Sequence, residues 1–333
     1  MSGAGNADWP AADAASVLSK CAEVRGKRIR YVDIGSGPPI VFVHGTGGSW
    51  EVWRANISEL AHQHRVVAVD LPGFGESEPL DGRASLAASA QVLSELLRML
   101  NLGPAIVVGH SLGGIVCLHL ALDHEEQVTS LVLVDSGGAP ISGGRKVLIT
   151  AGLQIARLLM GSGLVMKSIH DVPWVRRYFF GFVVRYPDSA DQRLLDGAFL
   201  TMRAPGVAGA IIAGATDSVG RRLPDIEVPT LLLWGEFDRL LPVRLARQMA
   251  DLMTNARLQI IEDCGHSPNI EYPQKFNHAV ENWSRVARNA SAVDAEEIGG
   301  ARESVHRRHG TSNAAITPTH RLEAPDTQSE VDH

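Results

Sequence analysis

The feature that most constrains this chain is a serine flanked by two glycines, where the hydrophobic pattern changes. Residues 105–108 form a short apolar run typical of a buried strand, and residues 115–122 continue with helical spacing. Ser111 stands between these segments, and Gly109 and Gly113 complete the pattern G-x-S-x-G. Because glycines lack side chains, strand and helix can approach closely and lift the serine hydroxyl above the sheet edge. The pattern predicts a nucleophile on a sharp strand-to-helix turn rather than an ordinary Gly/Ser turn.

A serine hydroxyl becomes a good nucleophile only beside a base, which in turn needs an orienting acid. Residues 230–234 predict a buried strand, and Asp238 follows its carboxyl end. Residues 257–261 predict another strand, which leads into the loop that holds His266. Since the carboxyl ends of parallel strands lie at one edge of a sheet, Ser111, Asp238 and His266 are expected to meet there. His266 would take the serine proton, and Asp238 would fix the imidazole tautomer.

Three other acids and one thiol compete for these roles. Asp135 directly follows a predicted strand, so its carboxylate also has a route to the histidine, and Glu236 and Asp263 lie close to the two loops. Cys264 precedes the histidine by two residues but has no elbow of its own, so we interpret it as a small buried hydrophobe. The sequence favours Asp238 as the acid and leaves Asp135 open as the alternative.

Two loops offer backbone N–H groups for the oxyanion of a tetrahedral intermediate. Leu112 opens the helix after the serine, where free amides and the helix dipole favour negative charge. The glycine-rich turn 45–48 follows another apolar strand, and Thr46 is its first candidate donor, with Gly47 second. Neither phosphate-binding pattern, G-x-x-x-x-G-K-[S/T] nor G-x-G-x-x-G, is completed here, so nucleotide binding is not expected.

Five short motifs resemble those of the α/β-hydrolase superfamily and occur in the family's order. They are HG at 44–45, DLPGFGES at 70–77, GHSLGG at 109–114, GEFD at 235–238 and GHSP at 265–268. The resemblance spans about residues 25–285 and is nearest to the capped branch with carboxylesterases, perhydrolases and meta-cleavage C–C hydrolases. Meta-cleavage hydrolases typically have Gly-x-Gly-Pro-Gly after the first histidine, whereas this chain has Gly-Thr-Gly-Gly-Ser at 45–49.

The resemblance implies a role for each matching residue. It implies Ser111 as nucleophile, Asp238 as acid and His266 as base. It also implies the amides of Thr46 and Leu112 as the oxyanion hole. Epoxide hydrolases and haloalkane dehalogenases of this superfamily carry aspartate at the elbow, so the serine argues against both. We expect neither a cofactor nor a metal site.

Alternating strand and helix patterns predict an α/β fold with a mostly parallel central sheet and helices on both faces. A helical cap would be inserted after the sixth strand of the family's fold. The predicted strands are 29–34, 40–43, 66–70, 105–108, 130–134, 230–234 and 258–261, and the clearest helices are 87–100, 243–253 and 273–288. The predicted divisions are a flexible N-terminal segment (1–20), the hydrolase core (21–139 and 223–288), the cap (140–222) and a disordered tail (289–333).

Composition narrows the remaining function classes. The chain of 333 residues has a formal net charge of −6 and no basic stripe, so a nucleic-acid partner is not expected. Its first residues lack a secretory signal pattern, and no apolar stretch reaches the roughly 18 residues that span a bilayer. The three cysteines are widely spaced, which indicates neither a disulfide framework nor a metal site. We therefore expect a cytoplasmic protein.

The segment 140–222 is too long for an ordinary connection, and its apolar residues follow helical spacing. We interpret it as a lid that lines an apolar pocket for a hydrophobic small-molecule substrate. Lys and Arg are interleaved with these apolar residues, so weak contact with an anionic membrane surface is a second interpretation. Basic side chains whose stems cover a small core explain the same pattern and are favoured.

The leading hypothesis is a serine hydrolase that cleaves a carboxylic ester, with an apolar acyl or alcohol group, through an acyl-enzyme on Ser111. A C–C bond hydrolase of the meta-cleavage type is the alternative within enzymes. A non-catalytic ligand-binding protein on the same fold is the alternative outside them, because fold alone does not decide function. The sequence leaves the oligomeric state open.

Overall fold

A computed structural model of the protein describes residues 18–160, 162, 165, 168–169, 171–188 and 202–288. The predicted tail 289–333 and nearly all of the predicted N-terminal segment lie outside the described residues. The strands are Lys20–Val24 (β1), Lys27–Ile34 (β2), Pro39–Val43 (β3), Arg65–Val69 (β4), Ala105–His110 (β5), Val128–Val134 (β6), Thr230–Gly235 (β7) and Ala256–Ile261 (β8). The helices are Arg54–Leu60 (α1), Leu86–Met99 (α2), Leu112–Asp123 (α3), Gly143–Met160 (α4), Pro173–Phe180 (α5), Val207–Thr216 (α6), Arg244–Leu252 (α7), Pro268–Glu271 (α8) and 273–288 (α9).

The strands form one sheet in the order β1-β2-β4-β3-β5-β6-β7-β8. The pairs β1–β2 and β2–β4 are antiparallel, and every pair from β4 through β3 to β8 is parallel. This arrangement confirms the predicted mostly parallel sheet. It brings the carboxyl ends of β3, β5, β6, β7 and β8 to the same edge, where the candidate residues follow their strands.

Side chains alternate along each strand between two hydrophobic clusters, one on each face of the sheet. On β3, Val41 and Val43 belong to one cluster, whereas Ile40 and Phe42 belong to the other. Helices α2 and α3 contribute to the first cluster, and α1 and α9 contribute to the second. Burial on both faces explains why the central strands are continuous Val/Ile/Leu runs, and it confirms helices on both faces.

The strand β1 was not predicted, and it begins at the last residue of the predicted N-terminal segment. Val24 pairs with Lys27, so the hairpin loop consists of Arg25 and Gly26, both with positive φ (55° and 71°). Positive φ at both loop residues matches the right-handed twist of hairpin strands. Mostly exposed side chains on β1 gave it no hydrophobic signal.

A helical insertion separates β6 from β7, as predicted for a cap after the sixth strand. Its helix α6 approaches the start of α3: a Cβ at Gly214 would lie 3.5 Å from Leu112 Cδ1. At the N-terminal end of α6, Gly206 N donates to Gly73 O (2.9 Å). In the described parts of the chain, we find no helix with both the length and the apolar character needed to cross a bilayer.

Candidate active site

Ser111 lies at the sharp turn between β5 and α3. Its backbone has φ 51° and ψ −116°, a conformation that costs a non-glycine residue on the order of 1–3 kcal/mol. A Cβ at Gly109 would lie 2.5 Å from Cys117 Sγ, and one at Gly113 would collide with the carbonyl oxygen of His44. The two glycines therefore allow the close packing that the G-x-S-x-G pattern predicted. The hydroxyl stands at the carboxyl edge of the sheet.

The structure brings the three sequence-predicted side chains into one hydrogen-bonded chain. His266 Nε2 lies 3.1 Å from Ser111 Oγ, and His266 Nδ1 lies 2.7 Å from Asp238 Oδ2. Although 155 residues separate the serine from the histidine, parallel strand ends place them side by side. Asp238 and His266 are buried, so their hydrogen bond is shielded from water. The geometry suits proton transfer from the serine to the imidazole.

Asp238 is held rigidly by the loop that follows β7. Its Oδ1 accepts hydrogen bonds from the backbone N–H groups of Leu240 and Leu241, both at 2.8 Å. Its Oδ2 is thereby left to face His266. The loop therefore fixes both the position and the orientation of the Asp238 carboxylate.

The histidine loop is anchored on both sides. His110 Nε2 donates to the carbonyl oxygen of His266 (2.7 Å), and His266 N donates to Val183 O of the insertion (3.1 Å). Burial lowers the pKa of His110 to about 3, so its ring stays neutral at physiological pH. Glu271 accepts from Gly265 N (2.9 Å) with one carboxylate oxygen and from Arg185 N (2.6 Å) with the other. Glu271 thus ties the histidine loop to the insertion.

The competing residues occupy other positions. Glu236 accepts a hydrogen bond from Asp263 N, and the Asp263 carboxylate accepts from the hydroxyl of Tyr186. Asp135 is fully buried, and its Oδ1 accepts a hydrogen bond from Gly235 N (3.0 Å), so this oxygen is bound to the end of β7. Burial raises the pKa of the Cys264 thiol, which keeps it protonated and poorly nucleophilic. Of the candidates, Asp238 alone hydrogen-bonds the imidazole.

The glycine-rich turn after β3 lies beside the serine: a Cβ at Gly45 would lie 3.0 Å from Ser111 Cβ. His44 supports this turn, since its Nδ1 donates to Gly45 O (2.8 Å) and its Nε2 accepts from Leu71 N (3.0 Å). Among the hydrogen bonds of the described residues, neither Thr46 N nor Leu112 N has a protein acceptor. Two backbone donors near the nucleophile are thus available to a ligand.

The comparisons with known proteins agree with this architecture. Residues 40–279 match the sequence model of the alpha/beta hydrolase family. The chain belongs to that family and is a hydrolase, which confirms the resemblance drawn from the motifs.

Curated relatives include enzymes with different substrates. A 2-hydroxy-6-oxononadienedioate/2-hydroxy-6-oxononatrienedioate hydrolase of Pseudomonas sp. is 29% identical over 78% of this chain and 93% of its own length. A pimeloyl-(acyl-carrier protein) methyl ester esterase of Vibrio atlanticus is 30% identical over 70% of this chain and 89% of its own. A solved esterase from Thermogutta terrifontis superposes with a TM-score of 0.65 at 25% identity, covering 81% of this chain and 99% of that one.

Sequence reasoning missed two residues that shape the site, His110 and Glu271. His110 precedes the nucleophile, but nothing local indicates that its ring reaches a loop 156 residues away. Glu271 follows the histidine by five residues, and its role depends on α8 turning back over the loop. The sequence did not indicate that Glu271 is buried, because a single acidic residue in a short polar segment is usually exposed to solvent.

Proposed function

We propose that this hydrolase cleaves carboxylic esters through an acyl-enzyme on Ser111. The observation that carries the proposal is the continuous hydrogen-bonded chain from Ser111 Oγ through His266 to Asp238, at 3.1 and 2.7 Å. Such a chain activates a serine toward a carbonyl carbon because the proton has a base and the base has a counter-charge.

In the proposed cycle, Ser111 Oγ attacks the ester carbonyl carbon while its proton passes to His266 Nε2. The backbone N–H groups of Thr46 and Leu112 stabilise the oxyanion that forms. The imidazolium then protonates the leaving alcohol oxygen, and the acyl group stays on Ser111. A water molecule gives a proton to Nε2 and attacks the acyl carbon, after which that proton returns to the serine oxygen and the carboxylic acid leaves.

The proposed substrate is a small molecule with an apolar acyl or alcohol group. Met202 and Ile211 of the insertion belong to the same hydrophobic cluster as Leu112, the residue after the nucleophile. A Cβ at Gly47 would collide with the Met202 side chain, so Met202 lies close to the turn after β3. We propose that residues 140–222 act as a lid, which excludes water and selects apolar groups. A relative and a solved structure that are both named as esterases support the ester assignment.

C–C bond hydrolysis is the second candidate. It is favoured by three relatives at 29–30% identity: the 2-hydroxy-6-oxononadienedioate/2-hydroxy-6-oxononatrienedioate hydrolase, a 2-hydroxymuconate semialdehyde hydrolase and a 2-hydroxy-6-oxo-6-(2'-aminophenyl)hexa-2,4-dienoic acid hydrolase. The same nucleophile, base and oxyanion donors would serve such a reaction, since it also passes through attack on a carbonyl. The two candidates differ in which substrates are turned over fastest, so a substrate panel separates them.

The test compares wild type with Ser111→Ala and with Ser58→Ala, a control on the surface helix α1. Each protein is treated with a fluorophosphonate probe and assayed on p-nitrophenyl esters from acetate to laurate and on a vinylogous ring-fission diketone. We expect labelling and ester turnover with a chain-length optimum in wild type and Ser58→Ala, and a loss of at least about 10⁴-fold in Ser111→Ala. Faster turnover of the diketone than of any ester would favour C–C hydrolysis. Neither labelling nor turnover of any substrate would indicate a binding protein.

A further inference from the structure

A second carboxyl group lies directly behind the hydrogen-bonded chain of the site. Asp135 follows β6, is fully buried and has a φ of 41°, which is rare for a residue with a side chain. One oxygen each of Asp135 and Asp238 and a ring nitrogen of His266 lie within 4.8 Å of one another. The Asp238 carboxylate is thus a close neighbour of the Asp135 carboxyl group.

The donors around this pair are too few for two charged carboxylates. Asp135 Oδ1 accepts from Gly235 N, but its Oδ2 is buried and receives no hydrogen bond from any donor in the described part of the chain. Asp238 accepts three N–H groups, from Leu240, Leu241 and His266, and a carboxylate offers about four acceptor sites. One proton on Asp135 Oδ2 would satisfy that atom and fill the fourth site of Asp238.

We propose that Asp135 is a protonated positioning residue, whose hydroxyl donates to Asp238 and holds that carboxylate against His266. Asp238 then carries the single negative charge behind the imidazole. The catalytic consequence rests on the proposed function, whereas the protonation of Asp135 does not.

Electrostatics around Asp135 agree with this geometry. Burial, followed by the charge of Asp238, raises the pKa of Asp135 well above its ordinary value. The other titratable groups that face it come from the loop after β8 and from α8: His266, Cys264 and Glu271. The Glu271 charge raises the pKa of Asp135 further, and the Cys264 thiol is neutral because burial raises its own pKa. Among the described residues around it, none supplies a fixed positive charge that would favour ionised Asp135.

The substitution Asp135→Asn tests whether the Asp135 carboxyl group is a neutral hydrogen-bond donor or a second negative charge beside Asp238. Its carbonyl oxygen can accept from Gly235 N, and its NH₂ group can donate to Asp238, as the protonated acid does. If Asp135 is protonated in wild type, no charge is lost, so kcat/KM for a p-nitrophenyl ester should stay within about threefold. The acid limb of the pH profile should then stay where it is. Asp135→Ala removes the donor and should lower kcat about 10- to 100-fold without changing KM.

A direct readout of the proton needs no substrate. The infrared spectrum in D₂O should show a protonated-carboxyl band at neutral pH that is missing in Asp135→Asn. That band should be retained in Asp33→Asn, a control whose carboxylate pairs with Arg65. If Asp135→Asn fails to fold, ¹³C NMR of carboxyl-labelled aspartates in the wild-type protein gives the same answer, with one carboxyl protonated at neutral pH.

Two results would overturn the proposal. The first concerns the proton itself: the infrared spectrum of Asp135→Asn could lack an ionised-carboxylate band instead of a protonated one. Equivalently, the wild-type NMR spectrum could show every aspartate ionised at neutral pH. The other is a downward shift of the acid limb by about one pH unit or more, because removal of a real charge would make the imidazole less basic. An inactive wild type would refute the proposed function and leave the infrared and NMR results interpretable.

Discussion

The substitution Asp238→Asn tests the site most sharply, because the surrounding backbone dictates how the new amide must lie. Leu240 N and Leu241 N both donate to the Oδ1 position, so the carbonyl oxygen of the asparagine must occupy it. The NH₂ group is then forced toward His266 Nδ1, 2.7 Å away, where the carboxylate oxygen lies in the wild-type protein. Nδ1 must become the acceptor, and the ring proton moves to Nε2.

That tautomer cannot take a proton from Ser111, because the nitrogen facing the hydroxyl already carries one. The expected loss in kcat is about 10⁴-fold, equivalent to roughly 5 kcal/mol of barrier. KM and the melting temperature should change little, since the packing and the two backbone hydrogen bonds to Oδ1 are retained. Asp238→Asn should therefore be a folded protein that labels very slowly with a fluorophosphonate.

The assay is kcat and KM on one p-nitrophenyl ester, with burst kinetics and a thermal melt, for Asp238→Asn and Asp135→Asn in parallel. A rate for Asp238→Asn within tenfold of wild type would refute this reasoning. If Asp135→Asn lost the activity instead, the role of the acid would pass to Asp135, the alternative left open by the sequence.

Four further predictions concern the surroundings of the site. Gly113→Ala should destabilise the fold by about 1–3 kcal/mol and abolish labelling, because its methyl group meets backbone; unchanged melting would contradict this. Glu271→Gln leaves one acceptor oxygen where the wild-type carboxylate uses two, for Gly265 N and Arg185 N. We therefore expect kcat to fall about tenfold and proteolysis of the insertion to accelerate. Identical digestion patterns of variant and wild type would argue against the link between the histidine loop and the insertion. Above about pH 4, Asp135 keeps its proton in the folded protein but releases it in the unfolded chain. As the pH rises, the free energy of unfolding of wild type should therefore fall by up to about 1.4 kcal/mol per pH unit relative to Asp135→Asn. A difference in melting temperature that does not depend on pH would contradict a raised pKa of Asp135. Contact of the cap with anionic membranes stays a prediction, for which Leu148 and Ile155 are 73% and 56% exposed on one face of α4. Replacing both residues by Glu should lower binding to anionic vesicles about tenfold. Equal co-sedimentation of the variant and wild type with the vesicles would refute the prediction.

The central fold could be predicted because it depends on signals that are local in sequence. Strands buried on both faces appear as unbroken apolar runs, and the elbow combines such a run with glycines at fixed spacing. The strand β1 escaped prediction because it lies at the sheet edge with mostly exposed side chains. In the hairpin loop that follows β1, Gly26 is the one residue typical of a tight turn, and a single glycine is common in any loop.

The choice between Asp135 and Asp238 could not be made from the sequence with certainty. Asp135 directly follows the buried strand β6, and Asp238 comes three residues after the buried strand β7, so the hydrophobic pattern does not distinguish them. Backbone geometry distinguishes the two residues: Asp135 has a positive φ and accepts from Gly235 N, whereas the loop after β7 turns Asp238 toward the histidine. A hydrogen bond between the ends of two strands joins residues far apart in the sequence, so no local sequence pattern indicates it.

The carboxyl end of β6 connects Ser111 to Asp238. Val134 O accepts from Ser111 N (2.9 Å), and Gly137 N donates to Ser111 O (2.9 Å), so residues 134–137 brace the strained backbone of the serine. Between these two contacts, Asp135 accepts from Gly235 N, and one of its carboxylate oxygens lies within 4.8 Å of an oxygen of Asp238. Four residues therefore support both ends of the hydrogen-bonded chain, and the helical insertion begins only after them. Because the insertion departs downstream of this support, the backbone of Ser111 is braced independently of the insertion, whereas the histidine loop is bonded to it through Val183 O and Arg185 N.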